Sequence, residues 1–156
     1  MGSTFNGYGP ENAGVEHNIK VDPEAAEIVL STGIPVLLVG LNVTLQTALS
    51  RARVAEMAEA KTPLARLMGH MSEDWFGVVN RDTTCMHDPL AVAASFEPAL
   101  VTTVPVTAEV SRERPGSVTY FEPERQSPIR ICTSVDASRF HELFYSRLLR
   151  KVTERP

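Results

Sequence analysis

The chain of 156 residues is short of cysteine, of long hydrophobic runs and of positive charge, and each shortage removes a class of explanation. Its two cysteines, Cys85 and Cys132, are too few for a disulfide framework and lack the paired spacing of a zinc site. The most apolar run, IPVLLVGL at residues 34–41, is far shorter than the roughly 20 residues that cross a bilayer and carries a proline, so no membrane partner is expected. A formal net charge of −4 gives no electrostatic reason to expect nucleic acid. The opening stretch, MGSTFNGYGPENAG, has none of the basic, apolar and small-residue order of a signal peptide, which makes the cytoplasm the expected compartment. Neither an internal repeat nor a low-complexity linker is present.

What is there reads as one soluble globular domain over residues 1–156, with 43% hydrophobic and 22% charged residues. A domain of this length typically buries roughly 68–70% of the surface its unfolded chain exposes, so a real core is possible. After a Gly-, Asn- and Pro-rich start of about 20 residues, VDPEAA opens a helix over residues 23–32 that ends near Gly33. The run at 36–41 predicts a buried strand, and its unbroken Val/Leu content points to a sheet covered on both faces. Residues 42–61 read as helical, with a short helix capped by Thr44 and a second through RARVAEMAEA, and 64–79 as a further helix holding Trp75 and Phe76. A helix capped by Asp88 runs to about residue 94. LVTTVPVTAEV, SVTYFE and IRICTSV are strands, and residues 138–152 form an amphipathic helix. The last strands leave no room for a crossover helix, which makes the sheet antiparallel or mixed there.

Taken one at a time, the chemically able residues have plain structural readings. Asp22, followed by Pro23 and Glu24, is a helix entrance and needs no other explanation. Asp88 precedes Pro89 in the same way and reads first as a second cap, but TTCMHDPLAV also sets His87 directly before it. Glu16, His17 and Asn18 read as solvated loop groups, Asp82 as a turn residue, and Trp75 and Phe76 as core.

Read together, these stretches resemble the C-terminal half of the inosine-uridine-type nucleoside hydrolases. MGSTFNGYG is similar to the family's Met-Gly-Gly strand end and glycine-rich loop, and VEHN followed by VDPEAA to its Ala-Glu-Phe-Asn and Asp-Pro-Glu-Ala-Ala segments. GIPVLLVGLNVT at 33–44 and MHDPLAVA at 86–93 resemble its later strand and helix start, and RPGSVTYFE and VDASRFHELFYSRLL its closing elements. The resemblance implies an α/β fold, namely a partial Rossmann-like three-layer nucleoside-hydrolase domain with a mixed sheet and flanking helices. It also implies an enzyme that cleaves the N-glycosidic bond of a ribonucleoside, with ribose held against a calcium ion and water attacking C1′. On that basis Glu16, Asn18 and a displaced Asn12 fall on ribose-binding positions, Asp88 on a metal-binding carboxylate, and His87 on the catalytic histidine that in some members protonates the leaving base.

Several departures accompany the resemblance. The family's Asp-rich metal motif is absent, which leaves one matched carboxylate for a cation that takes 6–8 oxygens. His17 stands for a phenylalanine, Pro10 stands where the loop asparagine is expected, and Asn42 replaces the usual aspartate, a change expected to be structural. Met1 falls on an internal methionine of the family, so the chain reads as half of such an enzyme, inactive alone. It is expected to self-associate or to pair with an N-terminal half through apolar surface around residues 36–39. The alternative reading is a non-catalytic ribose- or nucleoside-binding or interaction module that kept the fold.

Overall fold

The computed structural model describes residues 1–4, 15–111, 118–121 and 127–149. A short helix α1 (His17–Val21) leads into α2 (Pro23–Ser31), where Asp22 Oδ1 accepts from Ala25 N at 2.9 Å and Pro23 occupies the first helical position. Gly33, at φ +74°, lies just past the Thr32 C-cap in the left-handed conformation that costs glycine least. β1 (Val36–Leu38) follows, then α3 (Leu41–Thr44), β2 (Ala48–Ser50), α4 (Arg51–Ala58) and α5 (Pro63–Val79). The remainder is β3 (Thr83–Cys85), α6 (His87–Phe96), a 3-10 turn (Pro98–Leu100), β4 (Val101–Pro105), β5 (Thr107–Val110), β6 (Val118–Phe121), β7 (Ile129–Val135) and α7 (Ala137–Leu149).

β7 is the centre of a mixed three-stranded sheet, parallel to β1 with Val36 opposite Ile129, and antiparallel to β4 with Val101 opposite Val135. Two antiparallel pairs, β2 with β3 and β5 with β6, stand beside it. Adjacent residues of β7 feed opposite layers. Ile131 joins Ile19, Val106, Ala108, Val118 and Ile129, against which Ala26 and Leu30 of α2 pack. Cys132 joins Val43, Val54, Met57, Phe76, Leu90 and Phe140 from α3, α4, α5, α6 and α7. The strand's period of two thus separates the two apolar layers of an α/β sandwich, as expected. α4 and α5 touch backbone to backbone, because a Cβ on Gly69 would lie 2.3 Å from Ala58 N. Among the described residues no helix is long and apolar enough to cross a membrane.

Four expectations change. β1 ends at Leu38, and Leu37 remains 38% exposed; β1 pairs with β7 on one side, while among the described residues its other edge meets only the first residues of the chain. That edge contact is Gly2 N to Val39 O at 3.1 Å and Leu41 N to Ser3 O at 2.9 Å. Thr44 closes α3 rather than capping a helix, the N-cap being Gly40, and residues 48–50 form β2 instead of continuing a helical stretch. A three-residue strand becomes stable there only through its pairing with β3, which Met86 N extends by donating to Thr47 O at 3.0 Å. Trp75 is not core: it is 53% exposed while Phe76 is fully buried, because one residue of helix turns the side chain by about 100°. Finally, the apolar surface expected around 36–39 is carried by Leu37, since Val39 is only 2% exposed, and large apolar side chains are also exposed elsewhere, among them Ile28 on α2, Leu67, Met71, Trp75 and Val78 on α5, and Val92 and Phe96 on α6.

Candidate functional site

The polar groups singled out from the sequence gather beyond the carboxyl end of β1, where α/β sheets commonly hold their ligands. Glu16 is the first. It is 2% exposed, so the expected solvated loop group is a buried one, and it serves as N-cap of α1. Its carboxylate accepts three backbone N–H groups, from Asn18 at 2.7 Å, Ile19 at 2.9 Å and Ser3 at 3.0 Å. Such hydrogen bonds compensate the burial of a carboxyl group that has no ion-pair partner among the described residues. Ser3 is itself fully buried at φ +78°, and its Oγ accepts from Val118 N at 3.0 Å. Asn18 is exposed, with Nδ2 donating to Met1 O at 3.1 Å, and His17 is exposed beside it. Asn12 lies outside the described residues.

The second group comes from α6. Its N-cap is Met86, whose side chain is buried, so His87 and Asp88 are the first two helical residues and Asp88 is not the cap it was expected to be. The physical reason is distant: Met86 N is tied to Thr47 O, and His87 Nδ1 lies 2.8 Å from Thr44 Oγ1, which starts the helix two residues earlier than the Asp-Pro pair suggests. Asp88 is exposed and has no hydrogen-bond or ion-pair partner among the described residues. It favours the helix only through the N-terminal dipole. Its carboxylate is therefore free to meet a ligand. His87 is half-buried; burial pushes its imidazole below the ordinary value, and the charges of Asp88 and Glu16 partly offset that. The His87 imidazole thus leans neutral, with its Nδ1 held against Thr44 and Asp88 next to it in the first turn of the helix.

Two residues at this site gave no sequence signal as functional groups. Thr44 is fully buried and touches His87 across 43 residues of chain; the available clue was a small polar residue just past a strand's carboxyl end. Asn42 is 1% exposed and its Nδ2 donates to Cys132 O at 2.7 Å, a bond an ionised aspartate could not make, in keeping with the structural role expected of it. Asp82 holds Arg51 Nε at 2.9 Å on the surface, away from these groups.

Fold and side chains together define an α/β protein that presents carboxylates, an amide and a histidine at the end of a parallel strand. Residues 1–142 match the family described as inosine-uridine preferring nucleoside hydrolase. The chain belongs to that family. It is 31% identical to the pyrimidine-specific ribonucleoside hydrolase RihA of Salmonella paratyphi A over 157 aligned positions, which cover 91% of this chain and 49% of the relative. Among solved structures it is similar to the purine-preferring ribonucleoside hydrolase from Gardnerella vaginalis, with a TM-score of 0.81, 31% identity, and coverage of 95% of this chain and 50% of that one. The inosine-uridine preferring nucleoside hydrolase from Bacillus anthracis is 25% identical with a TM-score of 0.70, covering 97% of this chain and 50% of that one. The chain therefore has a partial nucleoside-hydrolase fold, and it spans about half the length of the curated relatives it matches.

The family is typically calcium-dependent, and the donor set here can be tested against such an ion. Among the described residues no group of three or more His, Cys, Asp and Glu side chains converges as a metal site. Asp88 alone falls well short of the 6–8 oxygens calcium takes, and Glu16 is already committed to backbone N–H groups. The described residues do not by themselves fit a calcium site.

Proposed function

We propose that this chain supplies the sugar-facing and base-facing groups of a ribonucleoside N-ribohydrolase and acts only when the rest of the family fold completes the site. The observation that supports this reading is the juxtaposition of His87 with the unpartnered Asp88 and the buried Glu16 at the carboxyl end of β1. Breaking an N-glycosidic bond passes through an oxocarbenium-like sugar, which anionic and acceptor groups stabilise, while the departing base needs a hydrogen-bond donor. Asp88 and Asn18 are exposed and can face the sugar; His87 can face the base. Glu16 acts on the sugar through its charge and by fixing Ser3 and Asn18, since its oxygens are occupied. The relatives' stated preferences differ, pyrimidine-specific in one and purine-preferring in another, so the substrate is proposed at the level of ribonucleosides.

No step is assigned to a metal in this chain. If calcium takes part, Asp88 is the side chain here best placed to contribute one oxygen, and the others come from outside the described residues. The contact with the completing part is proposed on the open edge of β1 and on the apolar trough of about 520 Å³ between α6 and α7, walled by Val92, Phe96, Phe140 and Phe144. The test is ribose release from inosine and uridine by the chain alone and after addition or fusion of the N-terminal half of a curated relative. Activity is expected only in the second case and is expected to fall with His87→Ala. Hydrolysis by the pure chain, or none after completion of a folded enzyme, would overturn the reading.

A further inference from the structure

We propose that Thr44 is a positioning residue for His87: its hydroxyl donates to Nδ1, holding the ring in the form that carries its proton on Nε2. This rests on the reading of His87 as the group that faces the departing base. Thr44 is the last residue of α3 and is 0% exposed, and among the described residues His87 Nδ1, at 2.8 Å, is the hydrogen-bond partner its Oγ1 has. The two possible directions of that bond are not equivalent. If Nδ1 carried the proton and donated, the threonine hydroxyl would be the acceptor, and its own proton would be buried with nothing described to receive it. An unpaired buried donor loses its water without compensation. If Oγ1–H donates instead, Nδ1 is the acceptor, the hydroxyl is satisfied, and the ring proton belongs on Nε2.

The two elements that make this contact are held independently of it. α3 is tied at its start by Leu41 N to Ser3 O, and its Asn42 is anchored to Cys132 O. α6 is tied by Met86 N to Thr47 O and buries Leu90 completely. The hydroxyl and the ring therefore meet as a consequence of the fold, and the pair is pre-set before any ligand arrives. Nε2–H is then the donor that His87 offers to a base nitrogen or oxygen, while Nδ1 is withdrawn from solvent exchange.

The experiment is a long-range proton–nitrogen correlation spectrum of the full chain labelled with ¹⁵N in histidine, recorded where histidine is neutral, for the wild type, Thr44→Val and Thr44→Ser. The wild type should show His87 with its proton on Nε2 and with Nδ1 shifted as a hydrogen-bonded acceptor. Thr44→Ser should retain that signature, and Thr44→Val, nearly the same shape without a hydroxyl, should move Nδ1 to the position of an unbonded nitrogen. A proton on Nδ1 in the wild type would overturn the proposal, as would an Nδ1 resonance that ignores Thr44→Val. Should Thr44→Val fail to fold, the wild-type and Thr44→Ser spectra still decide, since a serine variant lacking the acceptor signature also overturns it. Because the readout is a ring nitrogen and not turnover, an inactive completed enzyme with the expected spectrum would sink the functional reading and leave this one standing.

Discussion

Asp22-Pro23 and Asp88-Pro89 are the same dipeptide at the start of two helices, yet the two aspartates are used differently. At Asp22 the helix begins on the following proline, so the carboxylate sits at the N-cap and is consumed by Ala25 N at 2.9 Å. At Asp88 the helix has already begun on His87, the proline falls two positions deeper, and the carboxylate is left over. What separates them is the residue before: Val21 ends a helix and makes no demand, whereas His87 is drawn inward by Thr44. A shift of two residues converts a structural group into an available one. An identical motif therefore says little about role until the point at which its helix starts is known.

The comparison can be broken or sharpened by substitution. The largest effect is expected in an enzyme completed with the other half of the fold, where Asp88→Asn should lower turnover about 100-fold or more, since it removes a charge facing a cationic sugar or a bound cation. Asp22→Asn should leave that turnover unchanged, and equal activity of the two variants would remove Asp88 from the site. Next in size is stability. Asp22→Ala should cost about 1 kcal/mol, as loss of a cap does, and lower Tm by about 2–4 °C. Asp88→Ala should stay within about 0.5 kcal/mol, and a loss as large as that at Asp22 in thermal or urea melts would restore it as a cap.

The histidine that distinguishes the second pair should also be visible in pH dependence. His87 has its pKa pushed below the ordinary 6.5 by burial, so on acidification the unfolded chain takes up its proton before the folded one does. The associated stability is present above about pH 6.5 and is lost as pH falls below it. Urea midpoints should decline faster through that range in the wild type than in His87→Gln, and parallel declines would mean that the ring is not buried in solution. The smallest effect is expected for Asp→Asn at either position in the isolated chain. Asn caps about as well as Asp, and Asp88 caps nothing, so both should lie within a few tenths of a kcal/mol of the wild type.

The same contrast explains what could be read from the amino-acid order. Asp22 was legible because the partner of its carboxylate, Ala25 N, lies three residues away, as were α2, α5, the strands after residue 100 and the start of α7. The three-residue β2 was not, because its stability comes from β3 some 35 residues later and its own sequence looks helical. Glu16 was misjudged as solvated for a similar reason: its local partners Asn18 and Ile19 could be guessed, but its burial depends on Ser3 folding back over it. At the candidate site, the identities of Glu16, Asn18, His87 and Asp88 came through resemblance. Their division into occupied and free groups, and the part of Thr44, emerge only in the folded chain, because each depends on contacts between segments far apart in the sequence.

Ser3 carries one more consequence. Its N–H goes to the α1 cap, its carbonyl to the start of α3, and its hydroxyl oxygen to Val118 N of β6, so one residue at positive φ links three elements that share no other such junction among the described residues. Release of that residue frees all three at once. Amide hydrogen exchange at Leu41, Ile19 and Val118 should consequently report a single opening event with a common free energy, a local cooperative unit in which the edge of the sheet, a buried carboxylate and a distant hairpin rise and fall together.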